Sequence, residues 1–261
     1  MMAHVPTRHA GSMKRIDWPG AEAGGLAVTV AHRQADLEAL QRLRFRVFTQ
    51  DMGAVFPQAV GDRDVDRFDP WCVHVMVRDT GSGRVVGTYR LLPPEAALRA
   101  GGYYSESEFD LAPLAALRPR MVEVGRSCID AEFRHGTAIM LLWSGLAQVM
   151  RQGGYRCMLG CASVSLRDGG ATASEGWRRA RALMARNAAV PRIQPLHPYP
   201  VECLDSTLPA RVPPLIKGYL ALGATICGAP AWDPDFHTAD FPVLLDLDWL
   251  DARYRRHFGI A

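Results

Sequence analysis

The chain has 261 residues, of which 48% are hydrophobic and 22% charged, with a formal net charge of +3. Those proportions are globular and exclude disorder throughout, a collagen-like fibre and a disulfide miniprotein. No apolar run reaches the ~18 residues of a transmembrane helix. The N-terminal stretch lacks the apolar core of a secretory signal, and the 6 Cys include no CxxC pair, so reduced thiols and a cytoplasmic location are expected. The small charge excess gives no reason to expect a nucleic-acid partner. Of the 30 basic residues only Lys14 and Lys217 are Lys. Either a GC-rich genome or a need for bidentate anion recognition produces that bias.

Residues 1–25, rich in Gly, Pro and small side chains, read as a flexible N-terminal arm. Leu26–Val30 is β-rich. Residues 35–50 place Leu37, Leu40, Leu43 and Val47 at helical spacing, with Asp36 as candidate cap. Residues 51–70 read as a loop. Residues 71–78 and 84–92 are strand-like and joined by DTGSG, which predicts a hairpin. An irregular connection with short helical pieces follows over 95–119. Residues 120–129 (RMVEVGRSCI) read as a buried central strand whose Gly125 marks a bulge or a close backbone approach. Residues 137–152 predict an apolar helix stopped by Gly153–Gly154, and 155–163 a second buried strand. Residues 164–212 look like an inserted lobe, 213–223 a helix with Pro at its start and Gly at its end, and 241–250 a late strand. The order predicts an α/β fold, a mixed sheet with helices on its faces.

Several motifs carry little. Gly81, Gly83 and Gly87 superficially match a dinucleotide loop, but they join two strands and the last spacing is wrong. His74 and Asp79 form an H-x4-D pair within a strand, where positions five apart face opposite sides. No His/Cys set has metal-ligand spacing, so no metal is expected. Cys157 and Cys161 read as buried fillers of a core strand.

Charged residues inside apolar strands are more informative, because a buried ion costs several kcal/mol unless paired. Glu123 and Arg126 lie in the central strand and Arg90 in GTYRLL. Arg44 lies in the first helix, four residues before Phe48, and Asp66 and Asp69 flank Phe68. Two readings stay open: paired ions that fix the loop on the sheet, or a charged pocket for a zwitterionic substrate.

The set Arg44-x3-Phe48, Asp66-x2-Asp69, Arg90, Glu123-x2-Arg126 resembles that of acyl-homoserine-lactone synthases, over about residues 40–130. The blocks RLRFRVF, DVDRFDPWCVHVMV, VVGTYRLL, YYSESEFD, EVGRSCI, LLWSGLA, MLGCAS, PPLIKGYLALGA and AWDPDFHTADFPVLLDLDWL, over roughly 37–258, look like the L-ornithine N-acyltransferases of ornithine-lipid biosynthesis. That resemblance implies a single GNAT-like domain over 26–258 with an insertion at about 164–212. It also implies a central strand that splays from its neighbour to admit a pantetheine arm. The reaction implied is transfer of a (3-hydroxy)acyl group to the α-amine of L-ornithine, giving lyso-ornithine lipid. The segment expected to hold a pyrophosphate reads Arg134-His-Gly-Thr-Ala-Ile139, with both small positions altered. This favours phosphopantetheine-linked acyl carrier protein over acyl-CoA as donor, with no bound cofactor.

Within that resemblance Glu123 is the candidate base, Arg126 a catalytic partner and Tyr219 the candidate acid. Arg44, Arg90 and Arg126 are candidates to fork the substrate carboxylate. Phe48 lines the pocket, and Asp66 and Asp69 would hold a distal ammonium. Arg178, Arg179, Arg181 and Arg186 form a candidate docking face for acidic carrier protein or anionic lipid, with peripheral membrane contact expected from the lipid product. Two alternatives remain: acyl-homoserine-lactone synthesis, and a non-catalytic module that binds acyl carrier protein or lipid. The first lacks the tryptophan expected after Phe48, and the second predicts binding without turnover and a Glu123 with no partner in a pocket.

Overall fold

A computed structural model of the chain describes residues 16–186, 190–201, 214–250 and 252–258. Strand β1 (Ala21–Ala23) pairs antiparallel with β2 (Leu26–Val30), and helix α1 (Gln34–Met52) follows. The hairpin is β3 (Val73–Asp79) and β4 (Val85–Leu92); α2 (Pro94–Ala100) and the two-residue strand β5 (Phe109–Asp110) lead to the central strand β6 (Met121–Ile129). Helix α3 (Thr137–Gly153), β7 (Cys157–Ser165) and α4 (Ala171–Arg186) come next. The remaining elements are β8 (Gln194–Pro195), α5 (Pro214–Ala221), β9 (Thr225–Ile226), β10 (Ala231–Asp233), β11 (Thr238–Asp246) and α6 (Ala252–Phe258).

The main sheet runs β1-β2-β3-β4-β6-β7-β11-β10, with β9 also paired to β11. All of its pairs are antiparallel except β6 with β7, so it is the mixed sheet expected, flanked by helices. Val75 and Val77 of β3, Leu91 of β4 and Val122 of β6 pack with Leu142, Leu146 and Val149 of α3. On the same hydrophobic principle Leu40, Leu43 and Val47 of α1 meet Met76 and Cys128 of the sheet.

Several boundaries move. The predicted arm ends earlier than residue 25: Ile16 is buried in the α3 core, Trp18 packs on it, and β1 adds an edge strand. Residues 1–15 lie outside the described residues. Asp36 does not cap α1; the N-cap is Arg33, and Asp36 instead binds the guanidinium groups of Arg33 and Arg78. The inserted lobe is also corrected. β7 runs on to Ser165, and α4 packs Ala173, Ala180 and Met184 against Ala162, Val164 and Phe241 of the sheet. Its small apolar residues, spaced for close helix-on-sheet contact, are hidden in a segment of mixed average composition. The remainder of that stretch lies partly outside the described residues.

Two features of β6 place the site. Its parallel pairing with β7 covers only Met121, Val122 and Glu123, after which the two strands part. Opposite β4 the register slips between Thr88 and Arg90, so Tyr89 faces both Arg126 and Ser127. This is the bulge expected beside Gly125, with Arg126 itself at φ 51°. A left-handed non-glycine residue costs about 1–3 kcal/mol and persists only where its surroundings hold it.

Candidate active site

Where β6 and β7 diverge, a cavity of about 170 Å³ opens between them. Trp143, Leu146 and Ala147 of α3, Val243 and Leu245 of β11 and Leu250 contribute apolar lining. Arg90, Glu123, Arg126, Asp233 and Asp240 contribute charged lining. Gly160 of β7 is required at the point of divergence, since a Cβ there would lie 2.5 Å from the Val124 carbonyl oxygen.

Glu123 is buried, yet lines the cavity. Its Oε2 accepts from the Tyr104 backbone N–H (2.7 Å) and its Oε1 from the Ser105 N–H (2.7 Å) and hydroxyl (2.6 Å). Three donors leave one lone-pair direction on Oε2 for a proton. Burial pushes the Glu123 carboxyl up, against the opposing pull of the Ser105 hydroxyl and the two N–H groups. Glu123 thus both anchors the turn Tyr104–Ser107 and presents a carboxylate to the cavity.

The arginines divide. Arg44 is fully enclosed and does not line the cavity. Its Nη1 and Nη2 fork Asp69 at 3.0 and 2.8 Å, Nη2 also donates to the Asp64 carbonyl at 2.5 Å, and Nε stands 2.9 Å from Asp64 Oδ2. Arg90 Nη1 holds Asp66 at 2.6 Å and Asp69 at 2.9 Å. Arg126 reaches Asp64 at 3.2 Å and Asp66 at 3.4 Å, and its guanidinium lies over the rings of Phe236 (4.8 Å) and Tyr104 (5.2 Å). Three guanidinium groups and three carboxylates therefore neutralise one another. Burial pushes the Asp69 carboxyl up, but Arg44 and Arg90 more than offset this and hold it well below the usual range.

Two predicted roles are corrected by this network. Arg44 has no edge left for a substrate carboxylate. Asp66 and Asp69 face arginines rather than the cavity and cannot hold a distal ammonium. Those three fix the loop on the sheet, the structural reading of the pair left open by sequence. Arg90 and Arg126 do line the cavity, as does Phe48, whose ring meets Phe236 edge-on at 5.6 Å.

Tyr219 of α5 also faces the cavity, its hydroxyl 2.6 Å from that of Tyr89. Burial pushes the Tyr219 phenol well up, and Tyr89 adds to this. Cys161 is not a core filler: it is half-buried and lines the cavity, whereas Cys157 is buried in the core. His74 bonds the Asp69 carbonyl (3.0 Å) while Asp79 turns to Ser82 at the hairpin, so the H-x4-D pair does not assemble. On α4, Arg178 and Arg179 are exposed and both bind Glu175; Arg181 is exposed, and the side chain of Arg186 lies outside the described residues.

Sequence reading missed Asp64, which shares its carboxylate between Arg44 and Arg126. It also missed Tyr104 and Ser105, whose backbone fixes Glu123. Asp240 was detectable: it is a buried carboxylate inside the largely apolar strand β11, the same signal that identified Glu123.

Residues 43–144 match the family described as Acetyltransferase (GNAT) domain. The chain is 36% identical over 258 residues to an L-ornithine N(alpha)-acyltransferase of Brucella abortus (strain 2308), covering 90% of this chain and 89% of that protein. It is 32% identical to one of Rhizobium meliloti (strain 1021), covering 99% and 94%. Among solved structures it is similar to FeeM, an N-acyl amino acid synthase from uncultured soil microbes. There the TM-score is 0.54 at 12% identity, over 85% of this chain and 91% of that one. It is also similar to TofI in a ternary complex with an inhibitor and MTA, with TM-score 0.51 at 18% identity, over 90% and 97%. The two structural likenesses are likenesses of fold.

Proposed function

Because the chain belongs to the family of the L-ornithine N(alpha)-acyltransferases, we propose that it transfers an acyl group from a thioester to the α-amine of L-ornithine. The observation that carries this reading is the cavity at the parting of β6 and β7, whose lining combines apolar and charged side chains. A fatty acyl chain suits the first and a zwitterion the second.

The reaction follows from the groups present. The α-amine is mostly protonated near neutral pH and must lose a proton before its lone pair can attack. Glu123 Oε2 takes that proton, directly or through a water. The nitrogen then bonds to the thioester carbonyl carbon. The developing oxyanion lies against the edge of β6 from Val124 onward, which has no ladder partner on β7. Collapse of the tetrahedral intermediate breaks the C–S bond and expels a thiolate. A thiol has a pKa near ~8.5, so little acid assistance is needed; Tyr219, hydrogen-bonded to Tyr89, is the donor at hand. Arg126 orients the acceptor's carboxylate.

We assign the donor to acyl carrier protein and the product to lyso-ornithine lipid. The exposed Arg178, Arg179 and Arg181 on α4 offer an acidic carrier a basic face. Charge reversal at these three should raise KM for the carrier with kcat preserved; an unchanged KM refutes the docking face. A long-chain product partitions into lipid, so contact with the membrane is peripheral; no helix among the described residues is long and apolar enough to cross a membrane. The non-catalytic alternative required a Glu123 with no partner in a pocket, and Glu123 lines the cavity together with Ser105, which donates to it. Lipid mass spectrometry of cells expressing the protein tests the reading. An N-acylornithine that appears with the native chain and vanishes with Glu123→Gln supports it; no new acylated amino acid with either refutes it.

A further inference from the structure

The cavity has a second group of buried carboxylates, and this one lacks cations. Asp233 of β10 and Asp240 of β11 line the cavity, and Glu108, just before β5, stands behind Asp240. One carboxylate oxygen each of Glu108 and Asp240 and the Cys161 sulfur lie within 4.8 Å of one another. Asp233 Oδ2 accepts from the Tyr104 hydroxyl (3.3 Å) and its Oδ1 from the backbone of Asp235 and Phe236. Asp240 accepts from Thr238 (2.6 Å) and Ser163 (3.1 Å). Glu108 is 7% exposed, and neither of its oxygens has a hydrogen-bond partner. Among the described residues no Arg or Lys forms an ion pair with any of the three.

The contrast with Asp64, Asp66 and Asp69 is direct. Those three are matched by three guanidinium groups; Glu108, Asp233 and Asp240 are matched by none. A buried carboxylate without an ion-pair partner costs several kcal/mol as the ion, and the cost is met either by a proton or by a cation from outside the chain. Burial and then Asp240 and Asp233 push the Glu108 carboxyl well up; burial pushes Asp240 up to about 6. The alcove therefore takes up protons until a cation replaces them.

We infer that Asp233 and Asp240, with Glu108 behind them as a positioning residue, form the subsite for the terminal ammonium of a diamino-acid acceptor, which makes these carboxylates the determinants of acceptor specificity. The inference rests on the acyl-transfer reading above. Tyr104 links the two ends of the acceptor site. Its ring lies under the Arg126 guanidinium and its hydroxyl bonds Asp233, so an acceptor lying along it has its carboxylate at Arg126 and its distal nitrogen at the acids. An ammonium has three donors and no acceptor, which suits a ring of carboxylate oxygens.

The test compares L-ornithine with L-norvaline, which has the same carbon chain without the terminal amine. For the native chain, kcat/KM should favour ornithine; in Glu108→Gln and Asp240→Asn the ornithine-to-norvaline ratio should fall about 30-fold or more. Because both substrates are read on one preparation, the ratio is insensitive to the fraction folded. A ratio that stays the same in both variants overturns the inference, while no acylation of either substrate by the native chain overturns the acyl-transfer reading instead. Titration calorimetry of the native protein in buffers of different ionisation enthalpy gives a second readout independent of the variants. Ornithine should release more protons than norvaline, from Glu108 and Asp240, which face Asp233, Tyr104, Cys161 and Arg126. Equal proton release, or loss of ornithine preference on treatment with EDTA, overturns it in favour of an inert alcove or a metal site.

Discussion

Replacing Arg44 by Met separates a structural ion from a substrate ligand. Arg44 is fully buried and makes contacts with Asp64 and Asp69 through three of its nitrogens. Removing one partner of a buried ion pair costs about 3–5 kcal/mol, chiefly because the other is left uncompensated. Here the carboxylates keep some support: Asp69 retains Arg90 at 2.9 Å and Gln41 at 2.9 Å, and Asp64 retains Arg126 at 3.2 Å. The cost therefore falls at the low end, about 3 kcal/mol, or roughly a 150-fold loss in the folding equilibrium. For a chain of this size that lowers Tm by about 6–12 °C. Arg44→Lys should recover only part of the loss, since a point charge cannot fork Asp69 while reaching Asp64. Thermal melts and urea titrations give the stability, and initial rates at a temperature where the variant is folded give KM for ornithine. A variant with native Tm but a greatly raised KM would refute this reasoning and return Arg44 to the substrate.

Glu123→Gln should lower kcat by about 100-fold or more while binding of ornithine persists, measured by steady-state rates with a thioester donor; an unchanged kcat removes Glu123 as base. Gly160→Ala puts a Cβ 2.5 Å from the Val124 oxygen, so β6 and β7 must shift. Overpacking of that kind costs about 1–3 kcal/mol, whereas Gly125→Ala, whose Cβ meets nothing within 4 Å, should change stability far less; equal melts for the two variants would contradict this. His74 is buried and its imidazole is pushed down to about 4, mainly by burial. Its folded pKa lies below the unfolded ~6.5, so its contribution is complete above pH 6.5 and fades as pH falls towards 4. At pH 5 the loss is about 2 kcal/mol, partly masked in the native chain because Asp240, pushed up to about 6, favours the folded state over the same window. Denaturant titrations at pH 7.5 and 5 should show His74→Gln losing less stability on acidification than the native chain; parallel losses would disprove the assignment.

Much of the sheet could be read from periodicity and turn chemistry, because local pattern decides it. Leu26–Val30, the β3–β4 hairpin and β6 with its bulge all carry strong alternation or glycine signals. Strand β1 could not be read, since AEA is exposed throughout and gains its place only by pairing with β2. The charged residues were found by one rule, that ions in apolar strands need a reason, and Glu123, Arg90 and Arg126 do reach the cavity. What the rule cannot supply is partnership. Arg90 satisfies it as fully as Glu123 does, yet it is matched to Asp66 across 24 residues of sequence. Asp240 also satisfies it and Glu108, outside any strand, does not; the two come together from distant parts of the chain, and only their spatial juxtaposition distinguishes an unmatched acid from a matched one.

The position of the new amide bond tests the central claim most directly. Purified protein is incubated with acyl-loaded carrier protein and L-ornithine, and the product is fragmented by tandem mass spectrometry. An acidic alcove that holds the distal ammonium leaves only the α-nitrogen beside Glu123, so the account predicts acylation at the α-amine alone. A δ-acylated product, or an intact thioester after prolonged incubation, would contradict it.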